Sequence, residues 1–232
     1  MRPLSYYVPK ILLPVKGKPV LDYILGNLSA MDVETHYIVA SEHLETIDRY
    51  LKHTNLESVK LVRGLGWETG GDFSLALEQI DEVDDAVVLN GDILTDLNIT
   101  ELYAKHKESG KLATIGVLSI DDINEAKRFG RIKLDRNSMI TRFEEKSQEM
   151  NDLPALVNTG FYIFDRRLIE QKDRFFVPRR FKLEGSLFPL LAKENELYGN
   201  VTKLKYWWDV GTIDSYIKAE NFMINEQGVI PP

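Results

Sequence analysis

The chain has 232 residues, enough for one large domain with a substantial core. It contains no cysteine, which excludes disulfide frameworks, thiolate metal sites and cysteine nucleophiles. With 44% apolar and 28% charged residues it belongs with folded globular proteins, and its net charge of −7 argues against a general nucleic-acid surface while allowing a small anion in a basic cleft. No apolar run approaches the roughly 20 residues that cross a bilayer, and the N-terminus lacks a signal-peptide core, so no membrane partner and a cytoplasmic location are expected.

In chain order, strands alternate with helices. Pro19 to Met31 carries apolar residues at helical spacing, with Pro19 suited to a first turn. His36 to Ala40 reads as a short strand, and Ser41 as the cap of a helix running to about His53. Val59 to Val62 is the next strand. Glu68-Thr69-Gly70-Gly71 reads as a turn introducing a helix over Phe73 to Ile80. The wholly apolar Ala86 to Leu89 suits a strand covered on both faces. After Gly110 strands dominate: Leu112 to Ile120, Arg131 to Leu134, Met139 to Phe143 and Phe161 to Phe164, with a turn at Asp135-Arg136-Asn137-Ser138. A helix over Leu187 to Asn195, a strand over Val201 to Lys205 and a closing helix from Ile213 to about Glu226, capped by Thr212, complete the pattern. Such alternation implies an α/β fold with a mainly parallel sheet in a single domain.

Five constellations could carry chemistry. Asn90-Gly91-Asp92 follows an apolar strand, which puts a carboxylate at a sheet edge where ligands bind and where it could hold Mg²⁺; the same aspartate, or Asp96, equally serves as a turn cap. Trp207-Trp208-Asp209-Val210-Gly211-Thr212 sets an aspartate against two tryptophans, as a fixed ligand or as part of a helix cap. Lys10 lies on a segment stiffened by Pro9 and Pro14. Glu144-Glu145-Lys146 ends a strand, and Asn158-Thr159-Gly160 precedes one. His36, His43, His53 and His106 read as surface or packing residues, and Arg174 to Phe181 as a packed loop with solvated arginines.

Taken in order, Pro9-Lys10, Leu13-Pro14-Val15, Gly17-Lys18-Pro19, Thr69-Gly70-Gly71, Asn90-Gly91-Asp92, Phe129-Gly130, Glu145-Lys146, Asn158-Thr159-Gly160 and Trp208-Asp209-Val210-Gly211-Thr212 resemble the sugar-1-phosphate nucleotidyltransferases along nearly the whole chain. The resemblance implies a Rossmann-like three-layer α/β/α domain. It also implies an Mg²⁺-dependent reaction of a nucleoside triphosphate with a hexose 1-phosphate that needs no general base. Asp92 and Asp209 would hold the metal, and Lys10 would stabilise the phosphates. Thr69, Gly70 and Gly71 would lie near the base. Gly130, Glu145, Asn158 and Thr159 would read the sugar, and Lys146 its phosphate.

The resemblance also implies an initial strand ending in a G-x-G-T-R phosphate loop. Met1-Arg2-Pro3-Leu4 aligns just after that loop, so Arg2 does not inherit its arginine. About 12–16 upstream residues would complete it, and the 232 residues alone are expected to be poorly active, with the strands beside the gap unpaired. A catalytically inactive homologue that binds nucleotide sugars and regulates a partner is the alternative. A metal-dependent glycosyltransferase fits less well, because Asp92 is followed by Ile93-Leu94-Thr95-Asp96 and not by an Asp-x-Asp pair. No hexapeptide-repeat tail of a β-helix domain is read after the closing helix. The sequence leaves both a monomer and a homo-oligomer open.

Overall fold

The structure is a computed structural model that describes residues 1–80, 83–146 and 152–227. Gly228 to Pro232, where the absence of a repeat tail was read, lie outside the described residues.

Pro9 and Leu13 are extended on either side of a single tight turn, Lys10–Leu12, which is the stiff segment the prolines imply. Strands β1 (Pro14–Val15) and β2 (Lys18–Pro19) form a hairpin. Lys16 and Gly17 at its tip both have positive φ, 50° and 73°, as a two-residue turn of this twist requires. Helix α1 (Val20–Leu28) follows directly on Pro19. Strand β3 (His36–Ala40), helix α2 (Leu44–His53) and strand β4 (Val59–Arg63) come next, with β3 and β4 paired in parallel. Ser41 does not cap α2. His43 holds that place with φ 56°, and its side chain makes no capping bond.

Helix α3 (Glu68–Leu77) contains the glycine segment that reads as a turn in the sequence. Strands β5 (Ala86–Leu89) and β6 (Ile93–Thr95) lead to helix α4 (Ile99–Ser109), capped by the Asn98 side chain and absent from the sequence reading. Strand β7 (Ala113–Ile120), helix α5 (Ile123–Ala126), strands β8 (Arg131–Leu134) and β9 (Ile140–Glu144), and the long strand β10 (Ala155–Phe164) follow. Asn158-Thr159-Gly160 therefore lies inside β10. Helices α6 (Arg166–Ile169), α7 (Lys172–Phe175) and α8 (Phe188–Lys193), strands β11 (Leu197–Val201) and β12 (Trp207–Asp209), and helix α9 (Ile213–Gln227) complete the chain. The strand expected over Val201 to Lys205 is displaced to β11, where Leu197 is fully buried.

β10 is the centre of a mixed sheet. It pairs antiparallel with β7, with β5 through Phe161 to Phe164, and with β8 through Leu156 and Val157. β11 adds in parallel to β7, and β9 antiparallel to β8. Thus β5, β7 and β11 run one way and β10 the other. The β3–β4 pair stands apart, and among the described residues no ladder joins β3 to β5. Alternation along β10 builds the three layers. Tyr162 and Phe164 pack with Leu77, Phe188 and Leu191, whereas Phe161 and Ile163 pack with Val20, Ile24, Leu102 and Met223.

Candidate active site

The short ladder between β6 and β12 brings the two aspartates together. Asp209 pairs with Ile93, and the Val210 N–H donates to the Asp92 carbonyl at 2.8 Å. Lys10 reaches this point from its stiff turn, with Nζ 3.0 Å from Asp92 Oδ2. Arg128 arrives from the loop after α5, and its Nη2 is 3.3 Å from Asp209 Oδ2. The other Asp209 oxygen accepts the Gly211 N–H at 2.7 Å. Burial, and next the Asp92 carboxylate, raise the Asp209 carboxyl above the ordinary carboxylate range, against the pull of Gly211, Arg128 and Lys10. Two carboxylates and two cations are thus concentrated at one end of the sheet.

A bulge in β10 connects this cluster to the other residues singled out in the sequence. The register against β7 breaks between Asn158 and Tyr162, and Gly160 has φ +81°. The Gly160 carbonyl accepts the Asn90 N–H at 2.9 Å, and the Thr159 carbonyl accepts Trp207 Nε1–H at 2.9 Å. The Thr159 side chain turns inward, fully buried, and its hydroxyl donates to the Gly116 carbonyl at 2.7 Å. Any ligand contact of Thr159 runs through its backbone. Asn158 donates from Nδ2 to the Tyr162 hydroxyl at 2.8 Å and accepts the Gly160 N–H.

Beyond the bulge, the Gly130 carbonyl accepts the Asn158 N–H at 2.8 Å, and a Cβ on Gly130 would lie 3.3 Å from Glu145 Oε2. Burial, and next Glu184, hold the Glu145 carboxyl above its ordinary value, while Lys182 and Lys146 oppose that shift. Lys146 takes a left-handed backbone, φ 51°, at the end of β9. Thr69, Gly70 and Gly71 border the same region through Glu184, which accepts the Thr69 hydroxyl at 2.6 Å. Asp92, Asp209 and Lys10 thus meet at one point, and Thr69, Asn158, Thr159 and Gly160 are tied to neighbouring segments by hydrogen bonds. The structure adds Arg128, Tyr162, Lys182 and Glu184. Arg128 is adjacent to the Phe129-Gly130 pair and could have been found there. The other three show no signal in sequence, because their placement depends on contacts between distant segments.

A second polar cluster sits at the opposite end of β5. Asp85, His106 and Asp165 place one ligand atom each within 4.8 Å of one another. The carboxylates are already occupied. Asp85 accepts from Tyr103, Lys107 and the Arg166 N–H, and Asp165 accepts three bonds from Arg167. A cation there would have to displace an ammonium and a guanidinium, so the cluster is a structural tie. Burial lowers the His106 pKa from its ordinary 6.5, with Lys107 and Arg167 acting in the same direction and Asp85 and Asp165 opposing. Well above pH 6.5 the ring is neutral folded or unfolded. As the pH falls below 6.5 the unfolded chain takes up a proton that the native ring resists, and stability is lost. Between about pH 7.5 and about pH 5.5 the wild-type thermal midpoint is expected to fall relative to that of His106→Asn. His36, also lowered by burial, acts in the same direction in both proteins, and the raised Asp209 and Glu145 carboxyls oppose it in both. An equal slope in the variant would remove His106 from this effect.

Residues 1–226 match the Nucleotidyl transferase family. The chain is 28% identical to a mannose-1-phosphate guanylyltransferase of Mycobacterium tuberculosis, covering 100% of this chain and 62% of that protein. It is also 28% identical to a UTP–glucose-1-phosphate uridylyltransferase of Synechocystis sp., covering 94% and 59% respectively. The chain thus spans about three fifths of the length of these curated relatives. The crystal structure of HddC from Yersinia pseudotuberculosis superposes with a TM-score of 0.73 at 25% identity, covering 93% of this chain and 90% of that one. Among the described residues no helix is long and apolar enough to cross a membrane. With a match that runs from the Lys10 segment through both aspartates to the closing helix, the chain belongs to the nucleotidyl transferase family.

Proposed function

We propose that the protein transfers a nucleoside monophosphate from a nucleoside triphosphate to a hexose 1-phosphate, forming a nucleoside diphosphate sugar and pyrophosphate. The observation that carries this reading is the meeting of Asp92 and Asp209 across the β6–β12 ladder, with Lys10 3.0 Å from Asp92. A half-buried carboxyl beside a like charge is a site that a hard cation relieves, and all-oxygen donors suit magnesium. An Mg²⁺ held by Asp92 and Asp209 would neutralise charge on the triphosphate.

The chain's own residues account for the rest. An ionised phosphate oxygen of the sugar phosphate attacks the α-phosphorus in line, and the bond from that phosphorus to the pyrophosphate oxygen breaks. The second phosphate pKa is about 6, so the nucleophile carries its charge at neutral pH without a base. Lys10 and Arg128, released from their aspartates, offer cations to the phosphates, and rate comes from positioning and charge. Glu145 and Asn158 hold sugar hydroxyls, with Lys146 toward the sugar phosphate. Such a reaction draws on the cytoplasmic nucleotide pool, which is the reason to assign the protein there.

The test is pyrophosphate release with Mg²⁺ across a panel of nucleoside triphosphates and hexose 1-phosphates. It would use the 232 residues and a form extended upstream. Turnover in the extended form that depends on Mg²⁺ and on both substrates is the expected result, with little from the 232 residues alone, and the best pair names base and sugar. No release from either folded form would overturn the proposal.

A further inference from the structure

The segment after Arg179 is tied to the glycine segment of α3 by backbone bonds. Gly70 and Gly71 donate their N–H groups to the Phe181 carbonyl at 3.0 and 3.1 Å, and the Phe181 N–H donates to the Trp67 carbonyl at 3.2 Å. The Leu183 N–H adds a bond to the Thr69 hydroxyl oxygen at 3.1 Å. Glu184 follows in the single wide turn Leu183–Leu187 and is 7% exposed.

A buried carboxylate is costly to dehydrate and persists where donors meet its oxygens. Here the donors come from two parts of the site. Oε2 accepts the Thr69 hydroxyl at 2.6 Å, on the segment assigned to the nucleotide. Oε1 accepts the Tyr162 hydroxyl at 3.2 Å, and that hydroxyl oxygen accepts Asn158 Nδ2–H at 2.8 Å, on the strand assigned to the sugar. The Glu184 charge also reaches Glu145, whose carboxyl it helps to raise after burial.

We infer that Glu184 is a positioning residue that couples the two halves of the site, so that filling one half raises affinity at the other. This inference rests on the nucleotidyltransferase reading. A carboxylate suits the task because both its oxygens accept, and both hydroxyls must donate. Glutamine keeps the volume and offers only one accepting atom. Its NH₂ would face either Thr69 or Tyr162, and a Tyr162 hydroxyl already accepting from Asn158 would lose the acceptor for its proton.

The test is calorimetric titration of the protein with Mg²⁺ and α,β-methylene analogues of UTP, GTP and dTTP, which cannot release pyrophosphate. Each is measured with and without saturating glucose 1-phosphate or mannose 1-phosphate. Wild type is expected to bind its nucleotide analogue about 5–150-fold more tightly in the presence of its sugar phosphate, and reciprocally. In Glu184→Gln the ratio is expected to fall below about 2-fold, with the thermal midpoint little changed. Thr69→Val and Tyr162→Phe each remove one donor and are expected to do the same, which tests the link if Glu184→Gln does not fold. Variants that keep the wild-type ratio, or a wild type that binds both ligands without coupling, overturn the role of Glu184 alone. A wild type that binds neither ligand overturns the nucleotidyltransferase reading with it.

Discussion

Asp92→Asn and Asp209→Asn are each expected to lower kcat/KM by more than about 10³-fold while leaving the thermal midpoint unchanged or raised. Both halves of this expectation come from the same geometry. The carboxylates are held together at the sheet edge, and the Asp209 carboxyl is raised by burial and by Asp92. That repulsion weakens the fold in the absence of a cation and creates the affinity for one, so relieving it trades function for stability. What each variant loses structurally is small. Asparagine retains an oxygen for the Gly211 N–H. The pairs with Lys10 and Arg128 are partly exposed, the cations being 41% and 42% accessible, and such pairs contribute about 0–1 kcal/mol. Initial rates and unfolding curves on the same preparations check both halves. Near-normal turnover in either variant would remove that residue from the reaction. Lost turnover with a sharply lowered midpoint would assign it to the fold.

The sequence made Asp92 and Asp209 legible as motifs because each sits beside a distinctive neighbour, Gly91 or the tryptophan pair. Their meeting was not legible from periodicity, since β6 and β12 have three residues each and are too short to show alternation. Asn158-Thr159-Gly160 looks like a turn because asparagine and glycine favour turns, and the structure uses those same preferences for a bulge within β10. Helix α4 was missed because Lys105 to Ser109 are all polar and show no apolar face, although His106 is buried against Thr114. Glu184, between Lys182-Leu183 and Gly185-Ser186, has no distinctive neighbour, and only its bonds to Thr69 and Tyr162 single it out. The missing information lay in contacts across the fold.

The glycine pair of α3 is the sharpest instance, and it leads to the second large effect. Adjacent glycines argue against a helix, yet Gly70 and Gly71 lie within α3. A Cβ on Gly71 would lie 2.3 Å from the Arg179 carbonyl oxygen and 2.6 Å from Trp67 Cβ, and neither neighbour is the free end of a flexible side chain. Gly71→Ala must therefore push the 179–184 segment away. That overpacking costs about 1–3 kcal/mol, and each N–H that loses the Phe181 carbonyl costs about 1–3 kcal/mol more. A total loss of about 3 kcal/mol or more corresponds to a midpoint lowered by roughly 6–12 °C for a chain of this size. The same displacement moves Glu184 off Thr69, so turnover in the surviving folded fraction should fall as well. Gly26→Ala supplies the opposite sign. Gly26 lies inside α1 with nothing within 4 Å of its added Cβ, and removing a helical glycine should stabilise by about 0.5–1 kcal/mol. Thermal unfolding of the two variants side by side measures both. If Gly71→Ala were as harmless as Gly26→Ala, the close seating of the 179–184 segment on α3 would be wrong, and with it the reason for a glycine pair in this helix.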